Sequence, residues 1–284
     1  MVPTPRSVLG HIALPHSAAS FTAGIDLAAE PKGTALAIVK WTSAGAALVD
    51  LHVGVADVRI VDIISGIGEA VVSSHDGTAA SGVEAVGIDC AFGWPDDFLA
   101  FIMNHAAGRR VERSLDEGMD WRRRLAYRET DRDTRVRTGR WPLSVATDRL
   151  GLTALHCAVL LDVIGERFGE VDRSGSGLVA EVYPAATLRL WNFDTRGYKT
   201  DAGVRRILID AFAARAPWLE LNDFAPTLIA SDDAFDSLVA AIAARAKALG
   251  FTSGPPAQVL DQARREGWIA LPTVELEALD PRQP

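Results

Sequence analysis

Two aspartates break apolar stretches of this chain in the same way: Gly24-Ile25-Asp26 closes one strand-like run and Gly87-Ile88-Asp89 closes another. A carboxylate in a buried strand is costly unless it is paired or bound to a cation. The repeated pattern therefore suggests two equivalent acids near one edge of a sheet. Further along, Asp233 and Asp236 are three residues apart in a helical pattern, which puts them on one helix face. Asp232 points elsewhere and suits the first turn of that helix, where the dipole favours negative charge. Glu181 interrupts a further apolar run just before Tyr183-Pro184, where it would serve as an extra ligand or a general base. Acids gathered this closely repel one another and raise each other's pKa values unless cations lie between them. The six histidines (11, 16, 52, 75, 105 and 156) form no ligand pair. Oxygen donors without clustered histidine or cysteine favour Mg2+ or Mn2+ over Zn2+. Two such ions about 3.5–4 Å apart can activate water and stabilise the leaving oxygen of a phosphodiester. The plainer reading of Asp26 or Asp89 alone is a strand-end side chain bonded to backbone N–H groups.

The elements that would position these acids are readable in outline. Residues 21–28, 34–42 and 46–55 read as three strands joined by short turns at Glu30-Pro31-Lys32-Gly33 and Ser43-Ala44-Gly45, an antiparallel meander. Apolar residues at helical spacing cover 57–74. The run 83–92 has the near-continuous apolar character of a buried parallel strand. Pro95 opens a helix to about Ala107, another helix lies near 151–168, and 177–186 reads as a fifth strand ended by Pro184. Asp201 can cap a helix to Arg215, and Ser231 one that runs to Leu249 and stops at Gly250. This order describes an α/β protein, a mixed sheet flanked by helices. We expect residues 1–20 to be a flexible N-terminal segment and 21–272 a single domain with an insertion at about 109–149. Residues 273–284 would be a tail.

Composition narrows the function classes. With 284 residues, 48% of them hydrophobic, the chain can bury a large core. The first twenty residues lack the basic start and apolar run of a secretory signal, and no stretch is apolar enough to span a membrane. Cys90 and Cys157 read as buried free thiols, which fits a cytoplasmic setting. A net charge of −8 argues against a surface that grips nucleic acid throughout. Between Arg109 and Arg149, however, twelve arginines face eight acidic residues. That segment reads either as a solvated, salt-bridged helical insertion or as a surface for phosphates, which arginine binds bidentately. Arg128, Asp131 and Arg135 would share one helix face there, with the arginines meeting phosphate and Asp131 orienting them or joining the metal site, or else form a surface salt bridge. Tyr183 and Lys199 are candidate substrate contacts, Lys199 as a phosphate-facing charge. Trp94, Trp141, Trp191 and Trp268 could stack on bases but, without aromatic-basic alternation around them, read as core or lid residues, and His156 reads as a satisfied core histidine.

At these residues the chain resembles a family of predicted nucleases with a ribonuclease H-like fold, domain-of-unknown-function family 429. The matching pieces, in order, are Gly24-Ile25-Asp26, Gly87-Ile88-Asp89 with Phe92-Gly93-Trp94-Pro95, and Arg128-Glu129-Thr130-Asp131 with Arg135. Glu181-Val182-Tyr183-Pro184, Tyr198-Lys199, Asp233 with Asp236, and Glu266-Gly267-Trp268-Ile269 follow. The resemblance implies a five-stranded sheet of order 3-2-1-4-5 with the first three strands antiparallel. It also implies metal-binding acids on the first strand, the fourth strand and a late helix, the places of Asp26, Asp89, Asp233 and Asp236. That placement is closer to the resolvase branch than to ribonuclease H proper. Ala91 departs from the proline that the pattern carries after the fourth-strand acid. The leading expectation is metal-dependent hydrolysis of DNA or RNA, with single-stranded or structured substrates favoured by the acidic surface. The alternatives are a nucleotide-binding phosphotransferase or ATPase of related topology, for which no second phosphate loop and no Walker-type motif are found, and a non-catalytic scaffold.

Overall fold

Alternation of side chains along a strand sends Gly24 and Asp26 to one face and Ile25 to the other, and the same holds for Gly87, Asp89 and Ile88. The computed structural model describes residues 19–72, 82–109 and 118–283, and in it these two strands are nearest neighbours. Strands β1 (Ser20–Asp26), β2 (Ala35–Thr42) and β3 (Gly45–Val53) form the antiparallel meander. After helix α1 (Asp57–Val72), strand β4 (Val83–Asp89) lies parallel to β1 with Asp26 opposite Asp89. Helices α2 (Asp96–Ala106), α3 (Met119–Ala126), α4 (Glu129–Thr138) and α5 (Gly151–Phe168) come next, then β5 (Val179–Glu181), parallel to β4. The chain continues through α6 (Pro184–Leu190), α7 (Ala202–Arg215), β6 (Leu219–Glu220), α8 (Ala225–Ala230), α9 (Asp232–Ala248) and α10 (Leu260–Glu266).

The result is an α/β fold with a six-stranded mixed sheet, order β5-β4-β1-β2-β3-β6, covered on both faces. Two differences from the sequence reading stand out. The fifth strand is three residues long instead of ten, because Pro184 sits in the first turn of α6, where its missing N–H costs nothing. The sixth strand pairs only two residues with β3 and has no apolar run to announce it. The expected flexible segment gives way to strand at Ser20; residues 1–18, and 110–117 of the insertion, lie outside the described residues. Among the described residues, no helix is long and apolar enough to cross a membrane.

One core lies under α1 and α5, where Ile25, Ile38 and Ile88 meet Ile60, Cys157 and Leu160. The other lies under α7 and α9, where Val39, Trp41 and Leu48 meet Phe212, Phe235 and Leu238. Trp191 and Trp268 are buried, with their indole N–H groups donating to the carbonyls of Val274 and Ser253. Cys90 and Cys157 are free and buried. His156 is satisfied by the Ala28 carbonyl at 2.6 Å and the Asp57 carboxylate at 2.8 Å.

Helix α9 approaches the two central strands backbone to backbone. A Cβ on Gly24 would lie 2.1 Å from both the Ser237 carbonyl oxygen and the Ala241 amide nitrogen, and one on Gly87 would lie 2.6 Å from the Ala240 carbonyl oxygen. Helix α9 meets the strands with backbone and alanine methyls, so any added side chain must push the helix away. We expect Gly24→Ala to lower unfolding free energy by about 3 kcal/mol or more. Gly66→Ala, at an open position inside α1, should instead raise it by about 0.5–1 kcal/mol. Urea denaturation of the two variants checks both signs; a tolerated Gly24→Ala would show that α9 does not hold this position rigidly.

Candidate active site

Because Gly24 and Gly87 admit α9, the acids two residues beyond them come to the same place as its first turns. Asp26 and Asp89 are part-buried at the ends of adjacent strands, and Asp236 on α9 is fully buried. Two neighbours hold Asp236. The Tyr198 hydroxyl donates to its two oxygens at 2.8 and 3.2 Å, and Lys199 Nζ stands 2.7 Å from Oδ2. Arg205, buried on α7, fixes the approach of both. It donates to the Tyr198 carbonyl at 2.5 Å and to the carbonyls of Ile229 and Ala230, just ahead of the Ser231 hydroxyl that caps α9.

The electrostatics of the cluster are those of an uncompensated acid group. Burial pushes the Asp26 carboxyl well above its ordinary value, and the charges of Asp89 and Asp236 push it further. Burial likewise raises Asp89 to about 7, with Lys199 opposing and Asp236 and Glu181 adding. Asp236 is also raised by burial, with Lys199 and Tyr198 pulling it back. Burial works against the charge on Lys199, but Asp236, Asp89 and Asp26 outweigh it and hold the ammonium protonated. Asp233 stands at the edge of the group, raised chiefly by burial and then by Asp232.

A second set of buried charges lies beside the first and is closed. The Arg128 guanidinium uses all five of its N–H groups. It donates to Asp131 at 3.2 and 2.9 Å, to both oxygens of Glu181 at 2.8 and 2.7 Å, and to the Glu266 carbonyl at 3.0 Å. Glu181 also accepts from the Phe92 amide at 3.0 Å. Glu266 in turn accepts from the first amides of two helices, Asp96 of α2 at 2.8 Å and Glu129 of α4 at 3.1 Å. This is the favourable end for a carboxylate. Gly267, at φ +90°, completes the hub: a Cβ there would stand 2.5 Å from Glu181 Oε2.

The structure thus brings together Asp26, Asp89, Asp236 and Lys199, with Asp233 at the margin and Tyr183 in the wall of the same cavity. Arg128 and Asp131 form neither a phosphate-facing pair nor a surface salt bridge, because their pairing is internal and dry; Arg128 reaches the cavity wall with its donors spent. Arg135 lies one helical turn beyond Asp131 but is exposed, so it takes no part in the buried Arg128–Asp131 pairing. Both oxygens of Glu181 are occupied. Tyr198, Arg205, Arg149 and Arg189 were not singled out as site residues from sequence. Tyr198 sits in a quoted motif beside Lys199, and Arg205 is a charge on the buried side of an amphipathic helix. Nothing local distinguishes Arg149 or Arg189, which line the cavity.

A family model described as a protein of unknown function, DUF429, matches residues 24–260. Neither the curated proteins nor the solved structures contain a match.

Two expectations follow from these charges. Between about pH 4 and 7 the folded protein keeps a proton on Asp89 that the unfolded chain releases, so stability falls as pH rises through that window. In metal-free buffer, Asp89→Asn should flatten that fall and be more stable than wild type at pH 7.5, as read from urea midpoints. Arg128→Met should cost about 3–5 kcal/mol, since it leaves Asp131 and Glu181 buried and unpaired. Adding Glu181→Gln should recover part of the loss, and a neutral Arg128→Met would refute the hub.

Proposed function

The chain belongs to the DUF429 family of proteins of unknown function, and from its site we propose a divalent-metal-dependent hydrolase of phosphodiester bonds in nucleic acid, built on a ribonuclease H-like fold. The observation that carries this reading is the convergence of Asp26, Asp89 and Asp236 from two adjacent strands and one late helix, with a charge excess that Lys199 only partly offsets. The strand sequence β3-β2-β1-β4-β5 within the larger sheet, with β1–β3 antiparallel, supports the fold assignment.

The donors present suit a hard cation. All are carboxylate oxygens, and the raised acids are the kind of repulsion that Mg2+ or Mn2+ relieves. Among the described residues no three acid, histidine or cysteine side chains stand close enough to hold an ion as they are placed. Binding therefore requires Asp26 and Asp89 to turn toward Asp236, a side-chain motion that their part-exposed positions allow. Asp26, Asp89 and Asp236 would hold the ion, with Asp233 next in line. Bound there, it would supply activation of water and stabilisation of the leaving oxygen.

The chain's own residues have separable tasks. Tyr198 donates to Asp236 and so fixes the rotamer of that carboxylate. Lys199, with its side chain 48% exposed, neutralises Asp236 on one side and presents positive charge to a phosphate on the other. Glu181, held by Arg128 and the Phe92 amide, keeps the β4–α2 turn against the site and is a positioning residue in this arrangement. Nucleic acid is the favoured partner, with single-stranded or structured forms preferred to long duplex, given the net charge of −8.

The test is Mn2+-dependent cleavage of labelled single-stranded, duplex and branched DNA and RNA. Asp26→Asn should lower the rate by more than about 100-fold, on the scale of losing transition-state charge stabilisation. Mn2+ should also raise the melting temperature of wild type, worth about 2.7 kcal/mol at a hundred times Kd, and leave Asp26→Asn unmoved. No cleavage of any substrate, with no metal-dependent stabilisation, would favour a scaffold.

A further inference from the structure

Two of the acids open onto a half-open cavity. Asp26 and Asp89 form the floor of a cavity of about 450 Å3, inside the roughly 300–1,000 Å3 range of small-molecule sites. Its walls come from three separate parts of the chain. The end of the Arg-rich segment supplies Pro142, Leu143 and Leu150, the β5–α6 connection supplies Val182 and Tyr183, and the loop before α7 supplies Thr195 and Lys199. One wall is therefore apolar, as a base or sugar face needs, and it stands opposite charge.

The cations in that wall are available. Arg128 spends every donor inside the hub, but among the described residues neither Arg149 nor Arg189 forms an ion pair. Arg189 makes one hydrogen bond, to the Thr195 hydroxyl at 3.2 Å. Arg149 is exposed at the rim. With Lys199 they place three positive side chains around a space too small for a base pair carrying both its backbones. A long duplex would have to lie across the rim, out of reach of the acids below.

We propose that this cavity takes a single unpaired nucleotide unit. Its base lies against Leu143, Leu150 and Pro142, and its phosphate is held by Arg189, Arg149 and Lys199 above the acids. The inference rests on the hydrolase reading of the same site and narrows its substrate: the nucleotide next to the scissile bond must be free of its stack and its partner. The apolar wall gives the base a share of the affinity that inorganic phosphate or a sugar phosphate cannot recover.

Calorimetric titration of the full chain in magnesium-containing buffer tests this with adenosine 5′-monophosphate, ribose 5-phosphate and inorganic phosphate. The nucleotide should bind at least about tenfold more tightly than ribose 5-phosphate. Leu143→Ser, at an exposed wall position that should not affect folding, should weaken the nucleotide about fivefold or more and leave ribose 5-phosphate unchanged. Arg189→Ala should weaken both phosphates alike. Equal affinity for nucleotide and sugar phosphate, a silent Leu143→Ser, or no binding at all would overturn the proposal. The two readings fail separately. Mn2+-dependent cleavage without nucleotide binding removes the pocket and leaves the hydrolase; nucleotide binding without cleavage of any nucleic acid removes the hydrolase and leaves the pocket.

Discussion

The site depends on one packing constraint, the contact of α9 backbone with β1 and β4 backbone at Gly24 and Gly87. Helices ordinarily rest on sheets through side chains of several atoms. Here the strands offer hydrogen and the helix offers Ser237, Ala240, Ala241 and Ala244, all fully buried. That shortens the distance between elements and carries Asp236 in beside the ends of both strands. The tripeptide Gly-Ile-Asp is therefore a unit with three separate physical jobs. Glycine admits the helix, isoleucine fills the core on the far face, and aspartate reaches the space that the helix has been allowed to approach.

Close approach has an electrostatic consequence that divides the buried charges into two kinds. In the Arg128 hub every donor of the cation is used, and Asp131 and Glu181 both accept from it. Such a network ties α4, β5 and α10 together across 53 and 138 residues of sequence, and the Arg128 guanidinium has no donor left for a ligand. In the Asp26–Asp89–Asp236 group one half-exposed lysine faces three acids, and burial, with mutual repulsion adding at Asp26 and Asp89, raises the carboxyl pKa values. A fold that was only structural gains nothing from leaving such repulsion unrelieved. Perturbed acids on the cavity floor, beside a network whose donors and acceptors are already spent, favour a functional role for the first set and an architectural one for the second.

Much of this was legible in the sequence wherever the signal was local. The meander, the two Gly-Ile-Asp strands and the Ser231-capped helix follow from alternation, turn residues and capping within short windows. The acids of α9 follow from helical spacing, and Lys199 from the Tyr198-Lys199 piece of the resemblance. What stayed hidden depended on distant partners. Arg128 and Asp131 look like a surface pair because both are charged and near in sequence; that they are dry depends on Glu181 and Glu266, which arrive only when β5 and α10 are in place. Arg205 was missed because its three acceptors are backbone carbonyls, which carry no sequence signature. The short β6 has two residues of pairing and nothing in composition to mark it.

The Arg-rich insertion shows why counting charges overstates what a segment offers to phosphate. Its excess of positive charge suggests a binding surface, yet many of its arginines are already engaged. Arg128 is sealed in the hub, and Arg137 reaches Ser253 and the carbonyls of Leu271 and Pro272, which anchors α4 to the C-terminal part of the chain. Arg132 pairs with Glu129 and Arg123 with Asp120 on the helices' own surfaces, where such pairs add little to stability. What the insertion contributes to the cavity is chiefly its last turn, where Pro142, Leu143 and Leu150 build an apolar wall and Arg149 stands at its edge. In its described part the segment is as much a structural lip as a charged surface: Arg128 and Arg137 tie α4 to β5 and to the C-terminal part of the chain, and the residues that follow supply an apolar wall beside the acids.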